Sequence, residues 1–154
     1  MTKKKTFSRG IHPHDHKELT AEKPIINAPL PQKVVIPLLQ SAGNPAKCVV
    51  ARGDMVKKGQ LIGQADGNIS SNVHASISGK VTQIARHVNP VYGNSDSVFI
   101  ESDKTDEAVF GSLEHNGIDS LNSEQILGMI KDAGIVGLGG AAFPTHIKLN
   151  PPKN

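Results

Sequence analysis

Gly137, Gly139 and Gly140, followed at once by Ala141 and Ala142, form the stretch best suited to hold a charged ligand. Glycines let the main chain take positive φ and leave its N–H groups unscreened by side chains. A helix beginning near Phe143-Pro144-Thr145 would add its own N-terminal N–H groups, and proline suits a first helical position. Lys148 adds a positive charge. The chemistry this predicts is binding of a nucleotide phosphate. The string is not G-x-G-x-x-G, because Ala142 stands at the last glycine, and it is not a Walker A loop, because no G-K-[ST] comes after it. From the glycines alone, a tight helix–loop–helix packing turn is the simpler account.

Other reactive side chains carry less. His12, His14 and His16 alternate with Pro13 and Asp15, so an extended chain would put three imidazoles on one face, as a metal site needs. Pro13 disrupts regular pairing, however, and the segment lies in a proline-rich loop. Local hydrogen bonding or docking onto a neighbouring domain is expected there, and no metal ligand is assigned. His74, His87, His115 and His146 show no ligand spacing. The single cysteine, Cys48, sits in the apolar run CVVA and reads as a core residue. It fits a reducing compartment and cannot by itself hold an iron–sulfur cluster, which takes about four thiolates.

The elements that must position these residues fall into four parts. Residues 1–32 are irregular and are expected to pack on the β region after them. Residues 33–101 hold the apolar runs KVVIPLL, KCVVA, QLIG, NVHASI, KVTQIA and SVFIE, separated by turn-rich stretches such as SAGNPA, ADGN and NPVYGNSD. Many short strands with close turns predict a mainly β fold, a small sandwich or barrel. Residues 102–121 read as an acidic linker. A helix comes next, with Asn122 as N-cap, Gln125 completing a capping box, Ile126, Leu127, Ile130 and Ala133 at helical spacing, and Gly134 as its stop.

Composition excludes some classes. Aromatics make up 3% of the 154 residues, with no Trp and one Tyr, which disfavours single-stranded nucleic-acid binding through stacking platforms. No apolar run approaches the roughly 18–20 residues of a membrane span, and MTKKKTFSRG has no apolar segment behind its basic start. The net charge of +3 is uneven: residues 1–60 hold 11 of the 17 Lys/Arg, and residues 101–124 hold seven acids and one lysine. A solvated basic tail is the simplest account of the first block.

Two patterns in the β region, GDMVKKGQLIG (53–63) and HASISGKV (74–81), resemble the paired turns of lipoyl and biotinyl carrier domains, and so imply a barrel-sandwich hybrid. Those carriers need a lysine at the hairpin tip between the turns. Residues 60–79 contain none, and the tip reads ADGNISSN. The resemblance therefore implies the fold without lipoate or biotin.

The longer string GLGGAAFPTHIKL resembles the flavin-binding loop G-[RL]-G-G-A-[GA]-F-P-T-x-x-K of the flavoprotein subunit of respiratory complex I. It is still more similar to the loop of the RnfC subunit of the Rnf electron-transport complexes. FSRGIHPHDHKELT and PIINAPLPQKVVIPLLQSAGNPAKCVV resemble the start of that subunit, so the likeness runs from about Phe7 to Pro152.

The resemblance implies a subunit of a membrane complex that passes electrons between NADH and ferredoxin and couples this to ion movement. It implies FMN, with Gly137, Gly139, Gly140, Ala141, Ala142, Phe143 and Thr145 lining its phosphate and ribityl chain and Lys148 neutralising charge. Leu138 stands where complex I has Arg. It implies 4Fe–4S clusters in a C-terminal region absent here, so residues 122–154 would be the first helix and glycine-rich loop of an incomplete α/β flavin domain. The chain is expected to be the N-terminal third of a longer polypeptide, inactive alone and serving as a docking module. The implied location is peripheral, on the cytoplasmic side of the bacterial plasma membrane, without insertion, and soluble as a fragment. The implied partners are other Rnf subunits, with no nucleic acid. A non-catalytic scaffold, or the related subunit of a soluble reductase system, stays open beside it.

Overall fold

The computed structural model describes residues 14, 16–109 and 120–151. His12, the rest of residues 1–13, and residues 110–119 of the acidic stretch lie outside them. Among the described residues there are seven strands: β1 (Lys33–Pro37), β2 (Lys47–Cys48), β3 (Met55–Val56), β4 (Leu61–Gln64), β5 (Val73–His74), β6 (Gly79–Asn89) and β7 (Gly93–Ser102). Two helices come after them, α1 (Ser123–Asp132) and the single turn α2 (Thr145–Lys148).

The strands make two antiparallel sheets, one in the order β1-β7-β6-β3 and one in the order β2-β4-β5. Alternating apolar residues from both sheets meet between them. Ile36, Val56, Ile62, Val81, Val98 and Ile100 form the centre of that core, with Cys48 packed at its side as a small apolar residue. The register matches the apolar faces: Val34 and Val81 flank Ile100 on its two sides, and Ile36 faces Val98. Burying each such side chain stabilises the fold by roughly 1.5–3 kcal/mol. The mainly β sandwich expected from the runs between residues 33 and 101 is therefore present.

Residues 16–32 are exposed throughout, and the Gln32 carbonyl joins them to β7 by accepting the Ser102 N–H at 2.9 Å. After β7 the acidic stretch stays on the barrel as far as Val109. The Ser78 hydroxyl donates to Asp103 at 2.7 Å, Lys58 N–H donates to the Glu107 carbonyl at 2.8 Å, and Val109 N–H returns to the Lys58 carbonyl at 2.9 Å. Lys57 pairs with Glu107 and Lys58 with Asp106. Part of the basic N-terminal half thus meets part of the acidic segment, though exposed pairs of this kind contribute only about 0–1 kcal/mol each.

Helix α1 carries the full capping box. Gln125 N–H donates to the Asn122 side chain, and Asn122 N–H donates to the Gln125 side chain, both at 2.9 Å. At its other end Gly134, with φ +66, donates to Lys131, and Ile135 donates to Ile130, which is a Schellman stop. No residue of α1 is buried. Leu121, Ile126, Met129, Ile130, Ala133 and Ile135 line an apolar groove of about 300 Å³ on its open face.

Candidate functional site

The glycine-rich segment is a loop closed at its base. Val136 and Pro144 form an isolated antiparallel bridge. Gly137 N–H donates to the Phe143 carbonyl and Thr145 N–H to the Ile135 carbonyl, each at 3.0 Å. Gly140 (φ +62) and Ala142 (φ +49) reverse the chain in between. Left-handed backbone costs a non-glycine residue roughly 1–2 kcal/mol, so Ala142 holds its conformation against a modest strain. Among the described residues, no acceptor meets the N–H groups of Leu138, Gly139, Gly140 or Ala141. Leu138 is fully exposed, and a Cβ added at Gly139 or Gly140 would touch nothing within 4 Å. Among the described residues the loop therefore carries four main-chain N–H groups without a partner.

Lys148 completes this arrangement. One turn of helix brings its side chain back over the loop, and a Cβ built on Gly137 would lie 2.9 Å from Lys148 Nζ. Glycine at 137 is what lets the ammonium sit against the main chain. An ammonium beside main-chain N–H groups that lack partners is a donor set of the kind that suits phosphate. Of the residues picked out from sequence, Gly137, Gly139, Gly140, Ala141, Ala142 and Phe143 form the loop, while Thr145 and Lys148 stand on α2. The helix adds less than expected. It starts at Thr145, with the buried Pro144 at the N-cap rather than the first helical position, and the Thr145 N–H is already occupied by Ile135.

The N-terminal histidines behave differently. His14, His16 and Glu18 place ligand atoms within 4.8 Å of one another, all exposed. The two rings stack, centroids 4.4 Å apart and 15° from parallel, so their in-plane lone pairs run side by side and do not converge. His14 Nδ1 also accepts the His16 N–H at 3.2 Å. This arrangement carries no metal-site reading.

Histidines near α1 carry a pH dependence. Burial holds the His74 pKa below its ordinary value of 6.5, with the Asp132 main chain pulling the other way. His146 is lowered by burial and by the charge of Lys131. Both take up a proton less readily in the folded chain, so the unfolded chain binds more protons in mild acid. Stability should be complete above pH 6.5 and fall as pH drops through the lowered histidine values. Asp103, lowered by the Ser78 hydroxyl and the Thr105 N–H, loses its contribution only below its ordinary 3.8. Urea titrations between pH 8 and 3 should show two separate declines, and His74→Gln should shrink the upper one alone. A profile flat from pH 7 to 5 would contradict this.

Residues 5–105 match the family model described as the RnfC barrel sandwich hybrid domain. The chain belongs to the RnfC family. It is 48% identical over 148 residues to the RnfC subunit of the proton-translocating ferredoxin:NAD(+) oxidoreductase complex of Clostridium ljungdahlii, covering 96% of this chain and 32% of that protein. It is 41% identical over 147 residues to the corresponding subunit of the Na(+)-translocating complex of Acetobacterium woodii, covering 96% and 33%. It is 39% identical over 142 residues to that of an ion-translocating oxidoreductase complex of Rhodobacter capsulatus, covering 92% and 27%. The chain thus spans about a third of the length of these RnfC relatives, and the alignments reach past the barrel toward the glycine-rich loop. Among the described residues, no helix is long and apolar enough to cross a membrane.

Proposed function

We propose that this chain is the N-terminal part of an Rnf-type subunit that passes electrons between NADH and ferredoxin by way of FMN and iron–sulfur clusters, coupled to ion translocation, and that Gly137–Phe143 with Lys148 is the FMN phosphate cradle. The observation that carries this reading is the loop of four unpaired N–H groups with the Lys148 ammonium against Gly137. The names of the RnfC relatives supply the reaction class. The donor set suits a dianionic phosphate, and Gly139 and Gly140 leave room for it. When bound, FMN would take a hydride from NADH and release its electrons one at a time. This chain's residues would hold the phosphate, screen its charge and fix its position. The uncovered apolar face of α1 suits packing against further α/β structure. One cysteine cannot hold an iron–sulfur cluster, so on this reading the clusters would be held outside residues 1–154.

The 154-residue chain should therefore bind inorganic phosphate and FMN comparably and feebly. A dissociation constant of about 1 mM corresponds to about −4 kcal/mol. Lys148→Ala should weaken both by about tenfold, the equivalent of roughly 1.4 kcal/mol. Amide shifts of residues 137–142 during phosphate titration are the readout. Their indifference to phosphate would remove the cradle. Flavin fluorescence quenching with a micromolar constant would show that the site is complete without further chain.

A further inference from the structure

The loop is held to the barrel on both of its flanks. Before it, the β4–β5 hairpin tip reaches the end of α1. The Asn72 Nδ2 donates to the Asp132 carbonyl at 3.2 Å, and the Ser71 hydroxyl donates to the Gly134 carbonyl at 3.1 Å. Asn72 Oδ1 accepts the Ala65 N–H at 2.8 Å, which fixes the amide so that its donor face points at the helix. These are carbonyls that a helix end otherwise leaves unpaired. After the loop's tip, the Ala141 carbonyl accepts the Ala42 N–H at 2.9 Å and the Tyr92 hydroxyl at 3.4 Å. Between the two anchors the Leu138 side chain is fully exposed, and a Cβ at Gly139 or Gly140 would meet nothing within 4 Å. Every anchor on the loop side is a main-chain carbonyl, so its N–H groups remain for a ligand.

We infer that the barrel is a fixed platform for the loop, with Ser71, Asn72 and Tyr92 as positioning residues that aim its free N–H groups. The lysine-free hairpin tip is here a static clasp. Such anchoring matters because glycine-rich main chain has the most conformational freedom to lose, and a ligand that must order it binds less tightly.

The role in ligand binding rests on the proposed phosphate site; the clasp itself does not. The test is amide hydrogen exchange of the complete 154-residue chain at Gly134, Ile135, Gly137 and Thr145, which are hydrogen-bonded at the loop's base. Val81, Val98 and Ile100 serve as core references. Ser71→Ala combined with Asn72→Asp, which keeps the bond to Ala65 but turns a carboxylate on the Asp132 carbonyl, should speed exchange at the four base amides by about tenfold and leave the core unchanged. Ser71→Thr, which keeps the hydroxyl, should match the wild type. Tyr92→Phe, a rim change that leaves folding intact, should speed exchange at Gly137 alone. Unchanged exchange at the base in the double variant and in Tyr92→Phe would overturn the clasp. Phosphate titration of the same samples separates the two readings. Faster exchange with weaker phosphate binding supports both. Faster exchange in a chain whose wild type ignores phosphate keeps the clasp and removes the site.

Discussion

Gly79→Ala should abolish or nearly abolish cooperative folding. Gly79 opens β6 at φ +155, pairing with Val56 on one side and Ser102 on the other. A Cβ there would overlap the Glu101 carbonyl oxygen and lie 3.0 Å from the Ser102 Cα. Both are main-chain atoms of β7, so no side chain can swing aside. β7 cannot retreat either, because Glu101 is also in register with Lys33 of β1. The loss should be about 4 kcal/mol or more, an exceptional value for one methyl group and a large share of a typical domain's stability. Gly93→Ala is the control: its φ is +73, but a Cβ there meets nothing, so only the roughly 1–2 kcal/mol of left-handed strain applies. Urea unfolding checks both. If the two variants unfold at similar urea concentrations, the crossing of β3, β6 and β7 at Gly79 has room for a methyl group.

Ile100→Ala should be the next most damaging change, at about 3–4 kcal/mol. Ile100 is fully buried between Val34 and Val81, where the β1, β6 and β7 side chains meet the facing sheet. Strands on both sides prevent the gap from closing, which places it toward the upper part of the range for such cavities. Ile84→Ala, on the same sheet but 38% exposed, should cost about 1 kcal/mol or less. Equal losses at the two positions would mean that the core is not centred on Ile100. Far-UV circular dichroism should show the native β signal in both variants at low denaturant.

What could be read in advance was what local chemistry decides. The Asn122–Gln125 box and the Gly134 stop depend on residues three to twelve apart, and both formed. The apolar runs KVVIPLL and SVFIE, bounded by turn-rich stretches, marked two of the core strands because burial demands apolar side chains there. The outer half of the β6–β7 hairpin did not show itself. Arg86, His87 and Val88, and Asn94 and Asp96 opposite, are exposed, and the buried Asn89 and Ser95 are polar, so those strands leave no apolar signature. NPVYGNSD read as one long turn, whereas the turn is Pro90–Tyr92 and the strand resumes at Gly93.

Within the candidate site, residue types announced the loop and Lys148, but not that the ammonium lies against Gly137, which depends on how α2 folds back. The clasp left no trace at all. Its acceptors are main-chain carbonyls, which every residue owns, and Ser71 and Asn72 look like any polar hairpin tip.

The clasp also dictates an order of assembly. Its hydrogen bonds join residues far apart along the chain: Ser71 to Gly134 spans 63 positions and Tyr92 to Ala141 spans 49. Neither can form until the hairpin tip and the β6–β7 turn exist as shapes. As the polypeptide leaves the ribosome at about 5–20 residues per second, the β unit emerges and can close before the glycine loop does. The loop then arrives at a surface already holding its donors, so a segment with almost no conformational preference of its own is moulded on a finished template.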